Sequence, residues 1–123
     1  MKAFVIDDSK AMRMILGKIM KELGFEVAEA ENGLKGLDLM KPGEPPAVVL
    51  VDWNMPEMNG YEFVKAVRAR PEYDKVKLVV VSSETQTDGM GRMEEAGVDE
   101  YVTKPFTREG LAEKLQLLGL MGN

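Results

Sequence analysis

Residues 47–52 read Ala47-Val48-Val49-Leu50-Val51-Asp52, five apolar residues that end at a carboxylate. A short run that is apolar at every position and rich in valine is typical of a strand buried on both faces of a parallel sheet. Three more runs have this form: Phe4-Val5-Ile6 before Asp7-Asp8, Leu78-Val79-Val80-Val81 before Ser82-Ser83, and Tyr101-Val102-Thr103 before Lys104-Pro105. Because open parallel sheets bind ligands beyond the carboxyl ends of their strands, we expect these polar residues to share one rim.

The segments between these runs have the spacing of amphipathic helices. The first predicted helix is capped by Ser9, ends at Gly24 and carries an apolar stripe of Met12, Ile15, Leu16, Ile19, Met20 and Leu23. Further helices are predicted over Gly33–Met40 (with Leu34, Leu37 and Met40 inward), Gly60–Ala69, Thr87–Ala96 and Arg108–Leu118, and a short second strand over Val27–Ala30. Strands that alternate with helices predict an α/β fold of the (βα)5 type, a doubly wound five-stranded parallel sheet.

Composition restricts the chemistry that this chain can perform. It has 123 residues, a net charge of -5, and neither cysteine nor histidine. The negative charge argues against nucleic-acid binding, and the missing residue types exclude thiol catalysis, the commonest general base and the usual zinc ligand. A metal would therefore be a hard cation bound by oxygen atoms. With no signal peptide and no apolar run near the ~20 residues of a membrane helix, we expect a cytoplasmic protein without membrane contact.

Three carboxylates are expected at the rim. Asp7 and Asp8 can be a solvated pair that caps the following helix, or they can bind a divalent cation that neutralises their repulsion. Asp52, at the end of a neighbouring strand, favours the cation, since Mg2+ binds through one or two carboxylates together with waters and phosphate oxygens. Asp52 can be a turn residue, but beside Mg2+ a carboxylate can also act as a nucleophile and become an aspartyl phosphate.

A hydroxyl and an amine complete this set. Phosphoryl chemistry at an aspartate needs a hydrogen-bond donor and a cation besides the metal, and Ser82 and Lys104 are of these types. A lone serine or lysine at a strand end is usually incidental, whereas their joint occurrence on two further strands favours a common function. The Lys104-Pro105 peptide can form an ordinary turn or be cis and direct the lysine inward.

Four motifs together resemble a known family. They are Asp7-Asp8-Ser9, Asp52-Trp53-Asn54-Met55-Pro56 with Gly60 beyond, Ser82-Ser83-Glu84, and Lys104-Pro105-Phe106-Thr107. Over essentially its whole length the chain resembles the receiver domains of two-component response regulators, and within them the single-domain CheY-like chemotaxis regulators. This resemblance implies a flavodoxin-like (CheY-like) sheet with strand order 2-1-3-4-5, and one receiver domain over residues 1–123 with no output domain.

The resemblance also implies roles for individual residues. Asp52 would be the phosphoacceptor. Mg2+ would be bound by Asp8, Asp52 and the backbone carbonyl of Asn54, with Asp7 acting mainly through water. Lys104 would pair with the phosphoryl oxygens.

Further residues match the switching and tuning positions of the family. Ser82 would move to hydrogen-bond a phosphoryl oxygen, and Tyr101 would then turn inward. Asn54 and Glu84 match positions that tune hydrolysis of the phosphoryl group, and Trp53, beside the acceptor, can report metal binding by fluorescence. Ser82 replaces the commoner threonine and so lacks the methyl group that restricts the threonine rotamer.

The fourth predicted helix contains Gly89 and Gly91, each of which costs about 1 kcal/mol relative to alanine. We therefore expect this segment to fray or to begin late, near Met90. The family usually signals through the fourth helix, the fifth strand and the fifth helix, so the two glycines lie in the expected output surface.

These expectations describe a phosphorylation-activated switch and not an enzyme. The chain would accept a phosphoryl group from a histidine kinase on Asp52 with Mg2+, and would assist its own phosphorylation and dephosphorylation. It would signal by protein contact through that surface, in chemotaxis and flagellar motor control. A phosphorelay shuttle or a phosphate sink would use the same site.

Two other protein classes are alternatives. A phosphatase of the haloacid dehalogenase type also has an aspartate nucleophile after a strand, but its general acid is a second aspartate two residues later, where this chain has Asn54. A flavin-binding electron carrier of the same topology would need a phosphate-binding loop after the first strand, where Asp7 and Asp8 would repel the phosphate.

Overall fold

Five strands form the sheet of the computed structural model, which describes residues 1–53, 55, 57–83 and 95–120. The strands are β1 Lys2–Ile6, β2 Glu26–Ala30, β3 Val48–Val51, β4 Lys77–Ser82 and β5 Glu100–Thr103. All neighbouring strands are parallel and their order is β2-β1-β3-β4-β5. The predicted doubly wound parallel sheet and its strand order are thereby confirmed.

Helices alternate with these strands along the chain. They are α1 Lys10–Glu22, α2 Gly33–Leu39, α3 Gly60–Arg68 and a C-terminal helix Arg108–Leu117, with a 3-10 turn at Pro71–Tyr73. The Ser9 side chain accepts a hydrogen bond from the backbone N–H of Met12, so Ser9 caps α1 as predicted. The predicted fourth helix, with Gly89 and Gly91, lies outside the described residues apart from 95–96, which are helical. Within the described ranges, none of the helices is both long enough and apolar enough to cross a bilayer.

The sheet separates two apolar cores. Phe4 and Ile6 of β1 point into one core and Ala3 and Val5 into the other, as alternate residues of a strand must. We call the first the α2–α3 core; from α3 it includes Phe63, Val64 and Val67. We call the second the α1–C-terminal core; from its helices it includes Leu16, Met20, Leu111 and Leu115. Helices therefore cover both faces of the sheet, and the polar residues follow the strand ends between the two layers.

The inward face of α2 agrees with the prediction at Leu37 and Met40, which pack in the α2–α3 core, but differs at Leu34. Leu34 was predicted to point inward but is 47% exposed, whereas Gly36 is buried. A Cβ atom at Gly36 would collide with the side chain of Ile6, so α2 packs too closely on the sheet for a larger residue at that position. On α1, Ile15 is likewise 49% exposed, because Leu16 at the next position carries the buried face.

Candidate metal and phosphoryl site

Three carboxylates meet where β1 and β3 end. Ile6 of β1 pairs with Val51 of β3, so the residues that follow these strands are neighbours. Asp7, Asp8 and Asp52 can each offer one carboxylate oxygen, and these three oxygens lie within 4.8 Å of one another. Negative groups this close repel each other, and carboxylate oxygens are the ligands that Mg2+ prefers. The donor set therefore fits a hard divalent cation.

Asp7 is the most deeply buried of the three carboxylates. It is 1% exposed and Asp52 is 9% exposed, whereas Asp8 lies on the surface. Asp7 Oδ1 accepts a hydrogen bond from the backbone N–H of Ser9 (2.9 Å), and the backbone N–H of Asp7 donates to the carbonyl of Ala30 (3.1 Å). Burial of Asp7 excludes the solvated-pair alternative, and Asp8 is the carboxylate most accessible from solvent.

Lys104 contacts two of the carboxylates. Its Nζ lies 3.2 Å from Asp7 Oδ2 and 3.8 Å from Asp52 Oδ2, and its side chain is 20% exposed. The backbone N–H of Lys104 donates to the carbonyl of Ser82 at 2.9 Å, which ties the start of this loop to the end of β4. The Lys104-Pro105 peptide is cis, so the ordinary turn is excluded. The lysine therefore lies at the rim, as predicted.

Ser82 and Tyr101 are placed on neighbouring strands. Ser82 is the last residue of β4, is 1% exposed and pairs with Thr103 of β5. Tyr101 pairs with Val80, and its ring packs against the α2–α3 core. The Tyr101 hydroxyl is buried and has no hydrogen-bond partner within the described part of the chain. The movements expected of Ser82 and Tyr101 on phosphorylation stay predictions.

Gly60, the first residue of α3, lies against the end of β3. The backbone N–H of Gly60 donates to the carbonyl of Trp53 at 2.9 Å. Asn59 and Glu62 form a reciprocal capping box that begins α3 at this point. A Cβ atom at Gly60 would lie 2.5 Å from the Asp52 carbonyl oxygen and 2.8 Å from the Trp53 Cα. Glycine at this position therefore allows α3 to begin against the predicted acceptor.

The Gly60→Ala protein is expected to be destabilised by about 1–3 kcal/mol, because the added methyl group would collide with backbone atoms. Urea unfolding followed by Trp53 fluorescence measures the change in the free energy of unfolding. Gly43→Ala is the matched control, since nothing lies within 4 Å of a Cβ atom at Gly43. Equal stability of the two variants would contradict the close approach of α3 to β3.

Two predicted site residues, Asn54 and Glu84, lie outside the described residues. The metal contact from the Asn54 carbonyl and the tuning of hydrolysis therefore stay predictions. Trp53 follows the predicted acceptor directly, and its ring makes an edge-to-face contact with Tyr61, with the ring centroids 5.7 Å apart. Trp53 is thus placed where its fluorescence can report a change at the carboxylates.

Arg13 belongs to the site, although the sequence analysis did not identify it. Its Nη1 donates a hydrogen bond to the backbone carbonyl of Asp7 at 2.7 Å. Its Nε lies 3.5 Å from Glu29 Oε1 on β2. The signal available in the sequence was position: Arg13 is four residues after the Ser9 cap, and helical side chains lean toward the N-terminus of their helix. An arginine one turn after paired aspartates can therefore reach back to them.

Comparison with known proteins agrees with this geometry. Residues 3–116 match the response regulator receiver domain family. The chain is 43% identical over 117 residues to a chemotaxis protein CheY homolog of Campylobacter jejuni, which covers 94% of this chain and 90% of that protein. It is 38% identical over 119 residues to chemotaxis protein CheY1 of Helicobacter pylori, which covers 96% of each. The solved structure of Vibrio cholerae chemotaxis protein CheY4 matches with a TM-score of 0.88 at 31% identity, over 95% of this chain and 97% of that one. The chain therefore belongs to the response regulator receiver domain family, whose members are phosphorylation-activated signalling proteins.

Proposed function

We propose that this receiver domain accepts a phosphoryl group from a histidine kinase on Asp52 in a Mg2+-dependent reaction, and that it acts as a switch in chemotaxis. The observation that carries the proposal is the grouping of three carboxylates beside one lysine, whose Nζ lies 3.2 Å from Asp7 Oδ2 and 3.8 Å from Asp52 Oδ2. Asp8, Asp52 and the backbone carbonyl of Asn54 would bind Mg2+ directly, and Asp7 mainly through water.

The transfer step needs a nucleophile, positive charge and a hydrogen-bond donor. Bound Mg2+ would supply charge for the phosphoryl oxygens. An Asp52 oxygen forms a bond to phosphorus while the bond from phosphorus to the histidine nitrogen of the kinase breaks. The attacking carboxylate is already anionic, so no general base is required, which suits a chain without histidine. Lys104 contributes a second cation and Ser82 a hydroxyl donor, so the chain assists its own phosphorylation and, by the same groups, dephosphorylation.

Phosphorylation would change the balance of charge around Lys104. It adds about two negative charges at Asp52. Lys104, shared between Asp7 and Asp52 in this structure, would then pair with the phosphoryl oxygens. Ser82 would follow to hydrogen-bond one of them, and Tyr101 would be held with its hydroxyl in the buried position described above. The rearranged loop after β4 would alter the surface that a partner binds.

The chemotaxis role and the partners are proposed from the similarity of this chain to its relatives. The similar proteins of Campylobacter jejuni, Helicobacter pylori and Vibrio cholerae are chemotaxis proteins. A stretch of the sensor histidine kinase CheAY of Helicobacter pylori is 44% identical to this chain over 108 residues, which is 13% of that protein. We infer a sensor histidine kinase as phosphodonor. The target would be a protein such as a flagellar motor switch, bound through the fourth helix, β5 and the C-terminal helix. The receiver would be a single domain over residues 1–123 and act in the cytoplasm.

Removal of Mg2+ tests the proposed function. The wild-type chain, incubated with a phosphorylated histidine kinase or with acetyl phosphate, is expected to be labelled with Mg2+ and to remain unlabelled with EDTA, because the three carboxylates would otherwise repel the donor. The label should be lost in hydroxylamine, which cleaves acyl phosphates, and mass spectrometry of peptides should place it on Asp52. Labelling that is equal with and without Mg2+, or no labelling at all, would refute the proposal.

A further inference from the structure

The guanidinium of Arg13 joins α1 to two parts of the carboxylate rim. Nη1 donates to the backbone carbonyl of Asp7 at 2.7 Å, and Nε lies 3.5 Å from Glu29 Oε1 on β2. The Arg13 side chain is 16% exposed, so its bond to the Asp7 carbonyl is largely shielded from solvent, whereas the Glu29 side chain is 39% exposed. Hydrogen bonds from a charged donor in such a setting are shorter and stronger than those between neutral groups. Arg13 is therefore able to hold the Asp7 carbonyl in place.

The Asp7 carbonyl belongs to the peptide that leads into Asp8. The carbonyl of Asp7 and the backbone N–H of Asp8 belong to one planar unit, so a bond to the carbonyl restricts the direction in which the chain enters Asp8. The Asp7 side chain is already held by the backbone N–H of Ser9 and by Lys104 Nζ. The contact from Arg13 therefore bears mostly on Asp8, the exposed carboxylate of the three.

Glu29 can pair with Arg13 because of two features of its surroundings. The neighbouring carboxylate, Glu31, pairs with Lys35, whose hydrogen bond holds the pKa of Glu31 below its ordinary value. On α1, a Cβ atom at Gly17 would lie 3.3 Å from Glu29 Oε2. Glycine at this position thus leaves space for the Glu29 carboxylate to lie against α1, one turn beyond Arg13.

We propose that Arg13 is a positioning residue for Asp8. It ties the Asp7–Asp8 peptide to β2 through Glu29, and so sets the direction in which Asp8 presents its carboxylate to the divalent cation. This inference rests on the proposed function, since it assumes that Asp8 is a metal ligand. If Arg13 acted only through its charge, its removal would tighten Mg2+ binding, because a positive group near a cation site repels the cation. If Arg13 positions Asp8, its removal weakens Mg2+ binding.

The experiment is a titration of the intact chain with Mg2+, followed by calorimetry and by Trp53 fluorescence. Arg13→Gln is expected to weaken Mg2+ binding by about tenfold, the usual scale for groups that orient metal ligands. Arg13→Lys should also bind more weakly than wild type, because an ammonium cannot span the Asp7 carbonyl and Glu29 as the guanidinium does. Arg108→Gln is the matched control, since Arg108 makes a similar ion pair, 3.6 Å from Glu22. Its Mg2+ affinity should stay within about twofold of wild type, because a single exposed charge away from the site is screened by salt.

A second measurement separates positioning from transfer. At saturating Mg2+, Arg13→Gln should label Asp52 at about the wild-type rate, because the proposed defect is in metal affinity, which saturation overcomes. If wild type binds Mg2+ and Arg13→Gln binds it equally or more tightly, or if Arg13→Lys matches wild type, the inference is wrong and the proposed function is unaffected. If wild type itself binds no Mg2+, both are wrong. Should Arg13→Gln fail to fold, Glu29→Gln decides: it removes the anchor of Arg13, and unchanged Mg2+ affinity in that variant overturns the inference.

Discussion

The Asp52→Asn protein is expected to take up no phosphoryl label where the wild-type chain is labelled. The substitution replaces an anionic oxygen nucleophile by a neutral amide, whose oxygen attacks phosphorus far more slowly. It also removes one of the three carboxylates that would bind Mg2+. The measurement is transfer of radioactive phosphate from a phosphorylated histidine kinase and, separately, from acetyl phosphate.

Asp38→Asn is the matched control for this variant. Asp38 is exposed on α2, so the control makes the same change of charge away from the rim. Asparagine has nearly the shape of aspartate, and relief of repulsion among the carboxylates should keep Asp52→Asn folded, which a thermal unfolding curve checks. Undiminished labelling of a folded Asp52→Asn protein would move the acceptor elsewhere and refute the assignment.

The Lys104→Ala protein is expected to lose stability in the absence of divalent cations, by about 2 kcal/mol, because the buried Asp7 carboxylate would be left without its cation. Asp7 is 1% exposed and Lys104 Nζ lies 3.2 Å from it. Mg2+ should then stabilise the variant more than it stabilises wild type, since the metal replaces the missing positive charge and binds the folded state. Urea unfolding with EDTA and with Mg2+ measures both effects.

Lys2→Ala is the control for the lysine change. Lys2 Nζ lies 3.2 Å from Glu44 Oε2, the same separation, but the two side chains are 43% and 68% exposed. Exposed ion pairs contribute little, so this variant should stay within about 0.5 kcal/mol of wild type. The result that would contradict our description of the site is a Lys104→Ala protein as stable in EDTA as Lys2→Ala, with no larger gain from Mg2+.

The sheet was predictable because its strands are apolar on both faces. A run such as Leu78-Val79-Val80-Val81, which lies between segments with helical spacing, is most readily interpreted as a buried parallel strand. Apolar spacing predicted only part of the contact face of α2: it identified Leu37 and Met40, but it also favoured Leu34 and passed over Gly36. The distance between a helix and a sheet decides which residues can face inward, and this distance cannot be predicted from the spacing of residues within the helix.

The candidate site followed from a single rule, that parallel strands end at a common edge. That rule predicts that Asp7, Asp52 and Lys104 lie together. The rule does not predict which of these side chains is the most buried, because burial depends on how the neighbouring strands and loops pack around each of them. Arg13 was missed for a related reason: it lies on a helix, and its partners Asp7 and Glu29 lie on opposite sides of α1 in the sequence.

The two cores on opposite faces of the sheet have a consequence for how this protein can signal and remain folded. Tyr101 packs into the α2–α3 core, and Val102, the next residue, packs into the α1–C-terminal core. A change in how firmly Tyr101 is held would therefore bear directly on the packing of one layer only. The α1–C-terminal core would keep its packing, and with it the strand register, while the α2–α3 core adjusts. A partner that contacts both β5 and the C-terminal helix would therefore bind one surface that changes on phosphorylation and one that does not.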